Sequence, residues 1–276
     1  MNLTFKLANT VEINRMGFGG MQLTGTGVFG DATDRPNAIK LLQMAVENGV
    51  NFFDTADSYG PHTNETLFAD ALHPYKNIFI ATKGGLVRPG PGQWVPNGKP
   101  EYLTQAIEAS LKRLKVDCID LWQLHRVDSK YSIEESLAPV AAAVKAGKIK
   151  YVGLSEVDVD QIERAQKVVP IVSVQNLFNL GNRRWENVVD YTNSKNIAFI
   201  PWYPLNSGPN AFSSVVGDIA RIHQVSMAQI ALAWLLRRSE NILLIPGTKS
   251  IDHLLDNIKA SQVQLSESEF QKLINF

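Results

Sequence analysis

Several features that mark particular classes of protein are missing from this sequence of 276 residues. It has one cysteine, Cys118, so no disulfide can form within the chain, which favours an intracellular protein. No run approaches the roughly 18 consecutive apolar residues of a membrane span. Met1 to Thr10 also lacks the basic segment and apolar core of a secretory signal. We therefore expect a cytoplasmic protein without a membrane partner.

An excess of charge of one sign is missing as well. Lysine and arginine total 27, aspartate and glutamate total 27, and no block of like charge stands out along the chain. A protein that binds nucleic acid through its surface charge needs a basic excess. We expect no nucleic-acid partner, and no feature of the sequence requires a protein partner.

What the sequence does contain is a repeated alternation of short apolar runs and longer stretches with helical periodicity. The predicted strands are Met16–Gly19, Asn51–Thr55, Ile78–Thr82, Ile119–Leu124, Lys150–Leu154, Ile171–Gln175, Ala198–Trp202 and Leu243–Pro246. The predicted helices are Pro36–Glu47, Glu65–Ala71, Pro100–Arg113, Ile133–Ala146, Asp160–Lys167, Arg184–Ser194, Ser226–Arg237 and Asp252–Ala260.

Apolar strands that alternate with helices are typical of a parallel sheet covered by helices. Eight such units favour an α/β fold with a single (β/α)8 TIM barrel over residues 1–276. Before it, Phe5–Ile13 is predicted as a hairpin that caps the N-terminal end of the barrel, with Asn9 and Thr10 at the turn. After it, Ser266 begins a final helix with capping-box spacing. The stretch Gly84–Pro100 is predicted as a long loop on the active face rather than a linker.

Polar residues at the carboxyl ends of barrel strands are catalytic candidates, because the loops converge at that rim. Asp54 ends the second predicted strand, and Tyr59 follows it five residues later. Lys83 ends the third strand, and His125 ends the fourth. We predict that these four side chains form one catalytic group.

These residues and their settings resemble the aldo-keto reductase family over Met16 to Asn257. The matching motifs are Gly17–Met21, the segment with Asp54 and Tyr59, Gly153–Ser155, Gln175–Asn176, Trp202–Leu205 and Ile245–Ser250. Within the family, Tyr59–Asn64 and Asn241–Gly247 are most similar to bacterial pyridoxal reductases. The resemblance implies carbonyl reduction with a nicotinamide cofactor.

The chemistry of these four residues also supports carbonyl reduction independently of the family resemblance. A phenol with a pKa of about 10 releases its proton reluctantly at neutral pH, and a nearby ammonium eases that release. Lys83 would supply this charge to Tyr59, Asp54 would hold the lysine, and His125 would hydrogen-bond the substrate oxygen. The alternatives are a structural Asp54–Lys83 ion pair, a Tyr59 that only caps a loop, and a His125 buried in the interior.

The hydride donor is expected to be a nicotinamide, because no cysteine cluster or flavin signature is present. Gly25–Gly30 satisfies the dinucleotide pattern G-x-G-x-x-G, but no helix starts until about Pro36 and no βαβ unit surrounds it. We predict that this segment is a flexible loop beside the pocket rather than a phosphate loop.

The resemblance implies a different cofactor site. It places the nicotinamide carboxamide against Ser155 and Gln175 and the nicotinamide ring on Trp202. The alternative is that Trp202 only packs within the barrel. Glu156 departs from the family's usual asparagine, and its carboxylate could accept a hydrogen bond from the amide. Other residues that the resemblance implies for this site are Gly20, Met21 and Leu205.

The resemblance also implies a 2'-phosphate site, and hence NADP(H), at Lys249 and Ser250. A helix N-terminus and a lysine both suit a phosphate. His253 stands where many relatives have arginine, and Asn257 would reach the adenine. The alternative is an ordinary helix cap beside a solvated lysine.

The substrate pocket is expected to include Phe29, His62 and Trp94. His62 and His73 lack metal-ligand spacing with each other or with carboxylates, so no metal is expected.

We expect an NADPH-dependent reductase of a small aldehyde or ketone, with pyridoxal as the best single candidate. One alternative is a cofactor-binding regulatory or redox-sensor protein of the channel β-subunit type. Another is a barrel lyase or isomerase that uses Lys83 as a Schiff base.

Overall fold

A computed structural model describes residues 2–205 and 214–275 of the chain. Its strands are β1 (Thr4–Leu7), β2 (Val11–Asn14), β3 (Phe18–Gly19), β4 (Phe52–Asp54), β5 (Phe79–Gly84), β6 (Leu86–Val87), β7 (Val95–Pro96), β8 (Ile119–Leu124), β9 (Ile149–Ser155), β10 (Ile171–Gln175) and β11 (Ala198–Phe199). Its α-helices are α1 (Arg35–Glu47), α2 (Thr63–Leu72), α3 (Pro100–Leu114), α4 (Ile133–Lys145), α5 (Val159–Gln166), α6 (Glu186–Ser194), α7 (Ser214–His223), α8 (Met227–Arg238), α9 (Ile251–Lys259) and α10 (Glu267–Ile274).

Seven strands form one parallel sheet in the order β11, β10, β9, β8, β5, β4, β3. The sheet closes on itself through single parallel bridges from Phe199 to Ile242 and from Met16 to Leu244. Helices follow the barrel strands in the chain, as the sequence predicts. The predicted (β/α)8 TIM barrel is therefore confirmed.

The eighth predicted strand, Leu243–Pro246, is wrong as a regular strand, because only single bridges link this part of the chain to its neighbours. A side chain replaces part of its hydrogen-bond ladder. Arg15 is buried, and its Nε donates to the carbonyl oxygen of Ile242 at 2.9 Å. The barrel is thus closed partly by backbone bridges and partly by an arginine.

The N-terminal hairpin is confirmed as an antiparallel pair, β1 with β2, in which Leu7 lies opposite Val11. Its turn begins one residue earlier than predicted, since Ala8 and Asn9 both have positive φ. Phe5, Leu7 and Ile13 join the apolar cluster inside the barrel. The hairpin therefore covers one end of the barrel interior.

The predicted helices are present, with ends shifted by a few residues, and Ser266 caps α10 with a capping box. Helix α7 was not predicted. Its segment Ser214–His223 contains two adjacent valines and Gly217, which weaken helix propensity. Burial of Val216, Ile219 and Ala220 stabilises the helix instead.

The core has two layers because side chains alternate across each barrel strand. On β8, Leu121 belongs to the cluster inside the barrel, whereas Trp122 and Leu124 belong to the cluster between the sheet and the helices. The same alternation turns Gln123 to the inside, above Leu121 and towards the carboxyl end of the strand.

Among the described residues, no single helix is long and apolar enough to cross a membrane. Helices α7 and α8 are long and apolar enough only when they are taken together, by length and composition alone. The chain bends by 95° between them.

Candidate active site

The candidate site lies at the carboxyl ends of the barrel strands. Asp54 is the last residue of β4, Lys83 lies near the end of β5, and His125 follows β8 directly. Ser155 and Gln175 end β9 and β10. Because the strands are parallel and neighbours, these five positions share one rim.

The four catalytic candidates lie together there. Lys83 Nζ donates to Asp54 Oδ1 at 2.6 Å, to the Thr55 carbonyl at 2.8 Å and to the Tyr59 hydroxyl oxygen at 3.1 Å. The rings of Tyr59 and His125 meet edge to face, with centroids 5.8 Å apart. All four side chains are buried. One ammonium thus joins the carboxylate to the phenol, and the imidazole lies beside that phenol.

Two glutamines hold the other oxygen of Asp54. Gln123 Nε2 and Gln175 Nε2 donate to Asp54 Oδ2 at 3.2 and 2.9 Å. Gln175 was expected at the carboxamide, and its Oε1 makes no hydrogen bond among the described residues. Gln123 was not predicted, although its place two residues before His125 on a strand could have indicated it.

Burial and charge act in opposite directions on the phenol and the ammonium. Burial raises the pKa of Tyr59 above its ordinary 10.0, and Lys83 only partly offsets this. Burial lowers the pKa of Lys83, but Asp54 and the Tyr59 oxygen outweigh burial and raise it overall. At neutral pH the phenol therefore keeps its proton and the lysine its charge.

His125 is held neutral and oriented. Burial, followed by the charges of Lys83, Arg126 and Arg88, lowers the pKa of His125 well below its usual value. The Ser58 hydroxyl lies 3.2 Å from His125 Nδ1. Ser58 was not predicted, because a serine beside the tyrosine carries no sign of a partner 67 residues away.

The carboxylate that departs from the family pattern has three partners. Glu156 Oε1 accepts from the Leu177 N–H at 2.6 Å and from Trp202 Nε1 at 2.8 Å, and Oε2 pairs with Arg184. Its backbone has a positive φ of 55°. Glu156 therefore anchors the indole of Trp202, and both its oxygens are engaged.

Ser155 is buried, and its hydroxyl oxygen accepts from Arg126 Nη1 at 2.8 Å. Trp202 and Leu205 are half-buried. On the opposite side of the rim, the Gly20 N–H donates to the Asp54 carbonyl at 2.8 Å, and Met21 follows it in the same loop. A Cβ at Gly20 would lie 2.6 Å from the Phe68 ring, so only glycine allows this close approach.

The expected phosphate site lies at the start of α9. Ser250 caps the helix and accepts a hydrogen bond from the His253 N–H at 3.4 Å. Lys249 and His253 are exposed, and Asn257 is buried. A lysine thus stands beside the free N–H groups of a helix N-terminus, which is the arrangement that suits an anion.

The pocket wall contains Trp94, which meets the rings of Tyr59 and His125 edge to face at 6.3 Å from each. Arg88 stacks on Trp94, with Cζ 3.5 Å from the ring centroid, and lies 5.9 Å from the Phe29 ring. The predicted loop around Trp94 contains a short hairpin, in which β6 pairs with β7.

Arg88 was not predicted, and it joins three loops. Its guanidinium donates to the carbonyl oxygens of Gly27, Val28, Ser58 and Gln93. The segment Gly25–Gly30 forms one 3-10 turn at Thr26–Val28, and its carbonyls bind this cation. The segment therefore presents acceptors to a cation next to the pocket, unlike a loop that cradles phosphate with N–H groups.

His62 is exposed. It lines a shallow surface groove with Asp31, Arg35, Thr63, Thr66 and Arg113, which includes none of the four catalytic candidates. The cause is local: the left-handed backbone of His62, φ 73°, starts α2 on the outside of the barrel. Its expected place at the mouth of the substrate pocket stays a prediction.

Comparisons of the sequence and the fold with known proteins point to one family. The model of the "Aldo/keto reductase family" matches residues 15–275. An uncharacterized oxidoreductase of Schizosaccharomyces pombe is 50% identical, covering 98% of this chain and 88% of that protein. Pyridoxine 4-dehydrogenase of Escherichia coli is 39% identical, covering 98% and 96%.

Solved structures show the same fold. A thermostable aldo-keto reductase in complex with the inhibitor epalrestat is 29% identical and has a TM-score of 0.88, with 99% of both chains covered. An aldo/keto reductase of Klebsiella pneumoniae in complex with NADP and acetate is 23% identical, with a TM-score of 0.84 over 100% and 95% of the two chains. The present chain belongs to the aldo/keto reductase family.

Proposed function

We propose that this aldo/keto reductase uses NADPH to reduce an aldehyde or ketone to the alcohol, with Tyr59 as the proton donor. The observation that carries the proposal is the Lys83 ammonium, which binds both Asp54 at 2.6 Å and the Tyr59 oxygen at 3.1 Å. A cation at this point stabilises the phenolate that forms when Tyr59 gives its proton to the carbonyl oxygen. The proton is available at neutral pH because burial raises the pKa of Tyr59.

His125 would orient the carbonyl. Its pKa is lowered well below the usual value by burial, so the ring is neutral and one nitrogen carries a proton. If Ser58 donates to Nδ1, the proton is on Nε2 and can be given in a hydrogen bond to the substrate oxygen. Ser58 is then a positioning residue for His125.

The residues at the rim fit a dinucleotide. Ser155 can hydrogen-bond an amide, and so can Gln175 Oε1, which has no hydrogen-bond partner in the described part of the chain. The anchored indole of Trp202 can stack on a planar ring, and Lys249 beside the N-terminus of α9 can bind a phosphate. Gly20, Met21 and Leu205 would line the same face, with His253 and Asn257 beyond them. Bound NADPH would supply the hydride.

The same geometry disfavours a Schiff-base role for Lys83. A lysine must lose its proton to attack a carbonyl. Lys83 instead donates three hydrogen bonds, and Asp54 and Tyr59 raise its pKa against the effect of burial.

Pyridoxal is the substrate that we propose first. It is supported by the 39% identity to the protein named pyridoxine 4-dehydrogenase and by an aromatic wall, Trp94 and Phe29, that suits a flat ring. The test is to follow NADPH oxidation with a panel of aldehydes and ketones that includes pyridoxal. Turnover near background for every carbonyl, together with tight NADPH binding, would overturn the proposal and favour the redox-sensor alternative.

Glu156→Met is expected to weaken NADPH binding about three- to tenfold, because the Trp202 indole loses its acceptor and a hydrogen bond contributes about 1 kcal/mol. Glu156→Gln keeps an oxygen for Leu177 and Trp202 and should change the dissociation constant less than about twofold. Titration of protein fluorescence with NADPH measures both. Equal losses of NADPH affinity in the two variants would show that the negative charge of Glu156 matters and that its hydrogen-bond acceptor oxygen does not.

Lys249→Met is expected to weaken NADPH about ten- to hundredfold and NADH less than about threefold, since only NADPH has the 2'-phosphate. Lys259→Met removes the same charge at the other end of α9, where no anion site is proposed, and is the matched control. Calorimetric titration of the wild type and both variants with each cofactor gives the six dissociation constants. A parallel loss for NADPH and NADH in Lys249→Met would contradict the phosphate assignment.

A further inference from the structure

Arg126 stands between the catalytic group and the residues proposed for the cofactor. It follows His125 at the end of β8 and is half-buried. Its Nη1 donates to the His125 carbonyl at 2.6 Å and to Ser155 Oγ at 2.8 Å. Its Cζ lies 5.6 Å from the centre of the Trp202 ring. These contacts fix the guanidinium at the pocket rim.

The charge of Arg126 has no ion partner in the part of the chain that the structure describes. Within residues 2–205 and 214–275, no carboxylate forms a salt bridge with it, and its Nε and Nη2 make no hydrogen bond. Glu156 is near enough to affect its pKa but is already engaged by Leu177, Trp202 and Arg184. Burial lowers the pKa of Arg126, as expected for a cation that loses water without gaining an anion.

The other charges around the phenol and the imidazole are satisfied. Lys83 is paired with Asp54. Arg88 donates to four carbonyl oxygens and stacks on Trp94. Of the three cations that act on His125, Arg126 alone keeps a whole edge of unused donors among the described residues, because Lys83 donates three hydrogen bonds and Arg88 uses four of its five N–H groups. Nε and Nη2 form one edge of the guanidinium, which can bind both oxygens of a carboxylate or a single oxide.

We propose that Arg126 determines specificity by binding an anionic oxygen, carboxylate or aromatic oxide, that the substrate carries close to its reacting carbonyl. The inference rests on the proposed carbonyl reduction and narrows its substrate class. Pyridoxal fits the class because its ring oxide is adjacent to the formyl group. Neutral aldehydes would be reduced without this contact.

The test compares substrates with and without this anionic oxygen. One pair is benzoylformate and its methyl ester, and the other is pyridoxal and its 3-O-methyl ether. Arg126→Gln should lower kcat/KM about ten- to hundredfold for the two anionic substrates, mainly through KM, and less than about threefold for their neutral partners. Arg126→Lys should recover part of the loss because it restores the positive charge without the two parallel N–H donors of the guanidinium edge.

Arg164→Gln is the matched control, because it removes the same charge from an exposed ion pair with Glu134. This control should leave the ratio of kcat/KM between charged and neutral substrates unchanged. That result excludes an effect of the net charge of the protein on its rate of encounter with the substrate. An equal fall for charged and neutral substrates in Arg126→Gln would overturn the proposal, because Arg126 would then act only by holding Ser155.

A binding measurement separates failure of this inference from failure of the proposed function. Calorimetry with benzoate and benzamide on the NADP⁺-loaded protein needs no turnover. Benzoate should bind about tenfold or more weakly to Arg126→Gln, and benzamide should be unaffected. If no carbonyl is reduced but benzoate binding still depends on Arg126, the reductase proposal fails and the anion site stands. If benzoate binding is the same in wild type and variant, the anion site fails.

Discussion

Tyr59→Phe is expected to lower kcat for carbonyl reduction by on the order of 10² or more and to leave NADPH affinity within about twofold. The substitution keeps the ring and its edge-to-face contacts with Trp94 and His125 and removes only the hydroxyl. Single-turnover measurement of NADPH oxidation at saturating substrate isolates the chemical step.

Tyr75→Phe is the matched control for this substitution. The Tyr75 hydroxyl donates to the Leu114 carbonyl at 2.8 Å, far from the site in the fold, so its loss should leave kcat unchanged. If Tyr59→Phe retained most of its activity, Tyr59 would lose its role as proton donor.

Lys83→Met is expected to have two effects, a fall in kcat of about 10² and a loss of about 3 kcal/mol in the free energy of unfolding. The stability loss arises because Asp54 remains buried without its cation, with Gln123 and Gln175 as the remaining donors to its carboxylate. Chemical denaturation and steady-state kinetics measure the two effects.

The pH profile tests how Lys83 acts. Its charge opposes the rise in the pKa of Tyr59, so the variant should have a still higher Tyr59 pKa. Alcohol oxidation needs Tyr59 as phenolate, and its rate should therefore rise with pH later in the variant than in the wild type. An unshifted profile would show that Lys83 does not act through the phenol.

A double variant, Asp54→Asn with Lys83→Met, separates stability from catalysis. Removing both charges leaves neither member of this ion pair buried without the other, so stability should recover most of the loss. Activity should stay low, because Tyr59 still lacks its cation. Recovery of both properties together would mean that Lys83 supports only the fold.

The barrel and the proximity of the four rim residues were predictable because each depends on local pattern and chain direction. Parallel strands place their carboxyl ends at one rim, so residues that end successive strands must lie near one another. Asp54, Lys83 and His125 satisfy that condition in the linear sequence, and Tyr59 follows Asp54 in the next loop. The hairpin and the Ser266 cap depend on equally short spacings.

The partners around that group were decided by the closed barrel. Gln175 reaches Asp54 across 121 positions of sequence, Trp202 reaches Glu156 across 46, and Arg88 reaches Gly27 across 61. Such contacts depend on the sheet register, on the face of the sheet to which each side chain points and on the conformation of each loop.

The sequence by itself therefore determined the order of strands and helices and the four residues at the rim, because both follow from periodicity and chain direction. Only the tertiary structure decided which polar groups are satisfied. In the sequence Arg88 is one residue of a predicted loop and Arg126 follows a predicted strand, and nothing distinguishes their partners. In the structure Arg88 donates to four carbonyl oxygens, whereas Arg126 keeps a free edge among the described residues. The difference arises because the partners come from loops that are far apart in the chain. Their distances in the folded protein cannot be derived from a local sequence pattern.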